Sequence, residues 1–269
     1  MTLSLVHSTC PNDTFVFHAW THGLIAGAPP VTVRYADVDE ANALAVSSDL
    51  DVVKVSYAAL PWLLERYTLL PCGGALGRGC GPLIVTRGRR DLAGARVAVP
   101  GERTTAYLLF RLFAEYVPLA TVDVLPFPEI MPAVRDGRYD AGLVIHEARF
   151  TYAAHGLTCL ADLGEWWERE TGAAIPLGAI LCRRGLDSAP IVRAIQASLD
   201  FAWKNPAASR PYVQDKAQEL DPAVAQAHIK LYVTDATRQM TADDFAAVRL
   251  LLKRAAAAGL SPAVADGSI

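Results

Sequence analysis

Asp140-Ala141-Gly142-Leu143-Val144-Ile145-His146-Glu147 reads as a buried strand that stops on two hydrogen-bonding residues, and it closes a unit that occurs twice in the chain. The unit opens with the strand Ala95-Arg96-Val97-Ala98-Val99 and the turn Pro100-Gly101. Thr104-Thr105-Ala106 then leads into a helix through Tyr107, Leu108, Leu109, Phe110 and Leu112, with Thr104 or Thr105 as its cap. Val122-Asp123-Val124-Leu125 follows as a strand, and Glu129 to Asp136 as a helix stopped by Gly137.

The earlier copy runs from Leu3 to Ser56 in the same order. It has a strand at Leu3 to His7, a buried aromatic helix over Phe15 to Trp20 with Asn12, Asp13 and Thr14 as candidate caps, and a strand at Val31 to Tyr35. Asp39 caps a short helix over Glu40 to Val46, and the strand Asp51-Val52-Val53-Lys54-Val55-Ser56 ends the copy. Both copies leave polar residues just past strand ends, where open α/β sheets bind ligands. The expected architecture is two α/β lobes facing a cleft.

A chain of 269 residues has room for two modest domains at about 150 residues each. Hydrophobic residues at 52% and charged residues at 20% are enough for a core and too little charge for disorder. A formal net charge of −3 without a Lys/Arg run argues against the usual footprint for nucleic acid or an anionic membrane; Arg87-Gly88-Arg89-Arg90 reads as a solvated loop between lobes. No stretch reads as a signal peptide or a membrane span, so the expectation is a cytoplasmic protein with no membrane insertion.

Five cysteines, Cys10, Cys72, Cys80, Cys159 and Cys182, show no CxxC spacing and read as reduced, mostly buried thiols. Cys10 lies beside the expected cleft, as a small core residue or a reactive thiol. The glycine-rich run Cys72 to Pro82 lacks the Gly-Lys-Ser/Thr ending of a phosphate loop and is followed by a strand. It reads as a hinge-side loop lining the cleft, with Arg78 as a candidate carboxylate partner. Leu83 to Thr86 carries the chain out of the first lobe, and Leu177 to Cys182 carries it back.

The expected division is residues 1–86 as the first segment of lobe 1, 87–183 as lobe 2 and 184–269 as a helical segment packed on lobe 1. In that segment Ile191, Val192, Ile195, Leu199, Ala202 and Trp203 form one helix face, Asp221-Pro222 opens another helix, and Thr241 with Asp244 makes a capping-box start.

His146 ends an apolar strand, where an imidazole titrating near ~6.5 can take and return a proton. Its neighbour Glu147 either orients it, contacts substrate or pairs with an arginine. The His146-Glu147 start of a zinc-protease helix fails, because position 150 is Phe150. His18 and His22, among aromatic neighbours, read as helix packing, so no metal is expected. Ser56 lacks a nucleophile elbow and reads as a ligand-holding hydroxyl. Thr104 and Thr105 suit an anion at a helix N-terminus.

The motifs Cys10-Pro11-Asn12-Asp13-Thr14-Phe15, Lys54-Val55-Ser56-Tyr57-Ala58-Ala59, Gly73-Gly74-Ala75-Leu76-Gly77-Arg78-Gly79, Thr104-Thr105-Ala106-Tyr107 and Gly142 to Tyr152, taken together and in this order, resemble the 1,4-dihydroxy-6-naphthoate synthase family of the futalosine route to menaquinone. The resemblance covers nearly the whole chain. It implies a two-lobed, type II periplasmic-binding-protein-like α/β fold used as a carbon–carbon lyase, with no cofactor or metal. The implied reaction converts cyclic dehypoxanthine futalosine, a small-molecule carboxylate, to 1,4-dihydroxy-6-naphthoate and dihydroxyacetone. It further implies substrate binding at Lys54, Val55, Ser56, Thr105 and Ala106, with His146 as proton acceptor. Asn12, Asp13, Arg78, Thr104 and Glu147 are additional candidates by expected proximity. The alternatives are the sibling chorismate dehydratase, disfavoured by His146-Glu147-Ala148-Arg149-Phe150, and a non-catalytic binding protein for a small carboxylate.

Overall fold

The computed structural model describes residues 2–217, 221–265 and 267–269. The first unit forms β1 (Leu3–His7), α1 (Pro11–Thr21), β2 (Val31–Tyr35), α2 (Val38–Ser47) and β3 (Val52–Ser56), with β1 hydrogen-bonded in parallel to both β2 and β3. Short strands β4 (Tyr67–Leu69), β5 (Ala75–Gly77) and β6 (Leu83–Thr86) follow. The second unit forms β7 (Arg96–Val99), α3 (Thr105–Phe113), β8 (Thr121–Val124), α4 (Phe127–Arg135) and β9 (Ala141–Val144), with β7 between parallel β8 and β9.

After α5 (Ala148–Thr151), the strand β10 (Thr158–Asp162) and α6 (Leu163–Thr171), β11 (Ile175–Arg183) returns to the first sheet. The strand orders are β2-β1-β3-β11-β4, with β5 also on β11, and β8-β7-β9-β6-β10. The two sheets are therefore built alike: three parallel strands from one unit, then an antiparallel strand supplied by the chain as it leaves the other. By this pairing Leu83–Thr86 belongs with the second sheet and Ile175–Arg183 with the first. The expected lobe boundaries at residues 86 and 183 thus move back to the loops before these strands. Inside the glycine-rich run, Ala75–Gly77 is strand rather than loop because it pairs along β11.

Every residue of β3 and β9 is buried, as strands covered on both faces require. Gly142 in β9 lets α4 lie close: an added Cβ would meet Ile130 Cγ2 at 2.7 Å and Val134 Cγ2 at 2.8 Å. The glycine run is used for backbone contact, since Gly81 packs directly on the backbone of Gly164 at the start of α6.

Helix α1 starts earlier than its candidate caps suggest. Pro11 takes the first helical position, Cys10 is the N-cap without a side-chain cap bond, and Asn12 and Asp13 are free for other partners. In α2 the cap is Asp37, two residues before Asp39. Helix α3 is capped by Thr104, whose Oγ1 accepts from Tyr107 N at 3.1 Å.

The C-terminal helices α7 (Ser188–Lys204), α8 (Pro206–Lys216) and α9 (Pro222–Tyr232) pack on α1; α10 (Asp235–Arg238) and α11 (Ala242–Ala257) follow, α11 lying on β11. Ser198 of α7 donates to Val16 O at 2.6 Å and accepts from Trp20 N at 3.1 Å, fixing α7 on α1. The face of α7 buries Ile191, Ile195, Leu199 and Ala202, but Trp203 turns outward at 39% exposure, past the edge of that stripe. Thr241 and Asp244 form the expected capping box.

Replacing Gly81 with alanine should cost about 1–3 kcal/mol in chemical denaturation, because the backbone of Gly164 has no rotamer with which to yield. Unchanged stability would contradict this contact.

Candidate active site

A cavity with about 710 Å³ of empty space, its mouth included, lies where the parallel strand ends of the two sheets face each other, within the range of small-molecule sites. Ser8, Asn12 and Asp13 enter it after β1, Lys54 and Ser56 from β3, Thr104, Thr105 and Ala106 after β7, and Ile145 and His146 after β9. Leu177 and Gly178 of β11 form part of the wall, and α9 adds His228 and Tyr232.

The floor is a buried polar chain. Lys54, on the central strand β3, donates to Asp13 Oδ1 at the start of α1. Asp13 Oδ2 accepts from Ser8 Oγ at 2.7 Å and Ser8 N at 3.3 Å, and Oδ1 accepts from Asn12 Nδ2 at 2.9 Å. Burial alone would raise the Asp13 pKa, but Lys54, with help from His7 and Ser8, holds the carboxyl below its usual range. Asn12 Oδ1 faces His228 Nε2 at 3.0 Å.

His146 sits just past β9 with φ +52°, the one non-glycine residue in the left-handed region among the described residues. Its Nδ1 lies 3.2 Å from Cys10 Sγ at the start of α1, the edge of Phe127 packs against it with centroids 5.4 Å apart, and the His228 ring stacks at 6.3 Å. Burial lowers its pKa to about 4, with Asp13 opposing and Lys54 adding to the effect. His146 is therefore neutral at physiological pH.

Burial pushes the Cys10 thiol well above its ordinary value, and Glu147 and Asp13 push it further. It remains a protonated thiol, which removes the reading of Cys10 as a reactive nucleophile. Cys10, His146 and Glu147 do bring three potential metal donors within 4.8 Å of one another, although the thiol would have to give up a proton that burial retains.

The remaining expected residues divide. Ser56 N donates to Asn42 Oδ1 at 2.8 Å and its Oγ accepts from Asn42 Nδ2 at 3.2 Å, while Asn42 Nδ2 also reaches Arg103 O on the other sheet's side at 3.3 Å. The Thr105 hydroxyl donates to Leu177 O at 2.8 Å and accepts from Ala58 N at 3.2 Å, and Thr104 Oγ1 donates to Gly101 O at 2.8 Å. Both threonine hydroxyls are thus committed to structure, and the α3 N-terminus offers a ligand its backbone amides.

Val55 points into the core and lends only its backbone. Arg78 is not brought to the cavity. Its guanidinium sits 3.5 Å from Glu168 and donates to Gly172 O at 2.8 Å, because the loop around it is pinned to α6. Glu147 lies behind His146, buried, with Oε2 3.9 Å from His228 Nδ1. His228 escaped the sequence reading, although a histidine among Ala225 and Tyr232 on the buried side of α9 is a detectable anomaly.

Two lobes that exchange their antiparallel strands around such a cavity define a periplasmic-binding-protein-like fold. The alkanesulfonate-binding protein of Xanthomonas axonopodis pv. citri, in a structure bound to MOPS, matches it with a TM-score of 0.71 at 14% identity over 97% of this chain and 94% of that one, a likeness of fold alone. A crystal structure of a protein from Archaeoglobus fulgidus matches with a TM-score of 0.92 at 34% identity, covering 96% of this chain and 98% of that one. A curated relative from Streptomyces coelicolor, named 1,4-dihydroxy-6-naphtoate synthase, is 57% identical over 275 residues, covering 100% of this chain and 98% of its own. With the menaquinone biosynthesis family model matching residues 3–257, the chain belongs to that family of enzymes.

His146 and, by burial first, His7 and His228 have folded pKa values below the unfolded value near ~6.5. Below that value the unfolded chain binds more protons than the folded one, so stability present at neutral pH is lost as pH falls through ~6 toward about 4. The melting temperature should drop between pH 7 and pH 5 in roughly this window. A flat profile would contradict imidazoles held neutral by the fold.

Proposed function

We propose that this chain is a 1,4-dihydroxy-6-naphthoate synthase that cleaves cyclic dehypoxanthine futalosine to 1,4-dihydroxy-6-naphthoate and dihydroxyacetone, acting as a cofactor-independent carbon–carbon lyase with His146 as general base. Family membership supports the reaction class. The observation that carries the assignment to His146 is its position: a neutral imidazole at a strand end, in the cavity, with Nδ1 against a protonated thiol. In this reading Nδ1–H points at the Cys10 sulfur and the Nε2 lone pair serves the substrate.

The backbone amides at Thr105 and Ala106 receive the substrate carboxylate, favoured by the α3 dipole. Lys54 and Ser56 keep the facing wall polar and fixed. His146 then takes a hydroxyl proton, the carbonyl forms, and the adjacent carbon–carbon bond breaks in a retro-aldol sense. Residues 1–82 and 175–269 work as one lobe and 83–174 as the other, closing to exclude water and orient the substrate. The five unpaired cysteines support a reducing, cytoplasmic setting.

Purified protein incubated with cyclic dehypoxanthine futalosine should form the naphthoate. Binding without turnover would select the solute-binding reading, and consumption of chorismate the dehydratase reading. His146→Ala should retain substrate binding and lose roughly 10²–10⁴-fold in kcat; near-normal turnover would refute the base. Because the required form is the unprotonated one and burial lowers the pKa, kcat/KM should hold steady from neutral pH downward and fall only on approaching about 4. A limb centred near ~6.5 would contradict that environment.

A further inference from the structure

Ser56 ends β3 at the cavity wall, and the direction of its hydroxyl hydrogen is set by a residue that lines no part of the cavity. Asn42 of α2 is 1% exposed and grips Ser56 twice. Its Oδ1 accepts from Ser56 N at 2.8 Å, and its Nδ2 donates to Ser56 Oγ at 3.2 Å.

The orientation of this amide is not free. Only an oxygen can meet the Ser56 N–H, and only a nitrogen can meet Arg103 O, which lies 3.3 Å from Nδ2. Both constraints select the same orientation, and together they use both hydrogens of the NH₂ group. A serine oxygen that accepts from Asn42 keeps its own hydrogen for another partner. No group among the described residues accepts that hydrogen, so it is left to whatever fills the cavity that Ser56 lines.

Asn42 also ties Ser56 to the opposite lobe. Arg103 O belongs to the turn before α3, and the same short segment is seated on the first lobe at further points. Gly101 lies against the Asp39 carboxyl of α2, the Arg103 guanidinium sits 5.6 Å from the centre of the Trp62 ring, and the Thr105 hydroxyl is bonded to both Leu177 O and Ala58 N. These contacts hold the first turn of α3 beside the end of β3.

We propose that Asn42 is a positioning residue of this site: it makes the Ser56 hydroxyl a donor and sets it beside the α3 amides, so that both lobes receive one carboxylate together. The inference deepens the lyase reading above and rests on its placement of the substrate carboxylate at Thr105 and Ala106. This part of the wall then presents hydrogens alone, from the Ser56 hydroxyl on one side and the α3 backbone on the other. Such a wall selects an oxyanion and discriminates against a ligand lacking one.

The test is a double-mutant cycle on KM for cyclic dehypoxanthine futalosine, with Ser56→Ala, Asn42→Ala and both together. Ser56→Ala removes a hydrogen bond to a charged group and should raise KM about tenfold or more, with kcat changed much less. Asn42→Ala should raise KM by more than about threefold, and the double variant should lie within about threefold of the worse single one, because both changes remove the same bond. A double variant beyond that limit, Asn42→Ala with KM within about threefold of wild type, or an effect confined to kcat overturns the proposal.

If the wild type fails to turn over this substrate, the lyase reading falls. In that case, or should the variants not fold, NMR of wild-type protein labelled at asparagine nitrogens decides. Binding of 1,4-dihydroxy-6-naphthoate, kept reduced under nitrogen, should shift the Asn42 side-chain resonances and slow exchange of both amide hydrogens, whereas 1,4-dihydroxynaphthalene, which lacks the carboxylate, should not. Asn42 resonances that ignore the naphthoate, or that respond alike to both compounds, overturn the assignment.

Discussion

A lysine ammonium buried in the central strand of a sheet cannot stand alone, and the contact of Lys54 with Asp13 is the constraint around which the site is arranged. Lys54 is 8% exposed and Asp13 2%, so each is the other's main compensation for lost hydration. Removing one partner of such a pair typically costs about 3–5 kcal/mol, whereas the intact pair contributes little net stability. What it contributes here is position. It fastens the first turn of α1 to β3, and through Asn12 it sets which nitrogen of His228 carries hydrogen.

The second constraint is topological. Each sheet takes its antiparallel strand from the other unit's chain, so β6 and β11 bind the halves together while both sets of parallel strand ends converge on one gap. Polar contacts join the halves at several points, among them Cys10 to His146, Asn42 to Arg103 O, Thr105 to both Leu177 O and Ala58 N, and Arg78 to Glu168.

Much of this was legible from residues alone, because it depends on local pattern. The alternating strand and helix units, the Thr104 cap and the placement of His146 at the end of a buried strand follow from apolar runs and their punctuation. What was not legible depends on which of several polar partners a side chain meets. Asn12 and Asp13 look like helix caps until Lys54 is brought to them, and Arg78 looks like a substrate anchor until the Gly81–Gly164 contact pins its loop on α6. The Thr105 hydroxyl was committed by backbone groups 47 and 72 residues away in sequence. His228 lies 216 residues from Asn12, and no local pattern joins them.

The central claim is that the imidazole of His146 is neutral because it is enclosed between the lobes and that it meets the substrate there. The direct measurement is an NMR titration of the His146 ring nitrogens in the wild-type protein, with and without a non-cleavable carboxylate analogue of the substrate. The account expects the ring to stay neutral down to pH values approaching about 4 and its resonances to shift when the analogue binds. A ring that titrates near ~6.5 and ignores the analogue would contradict it.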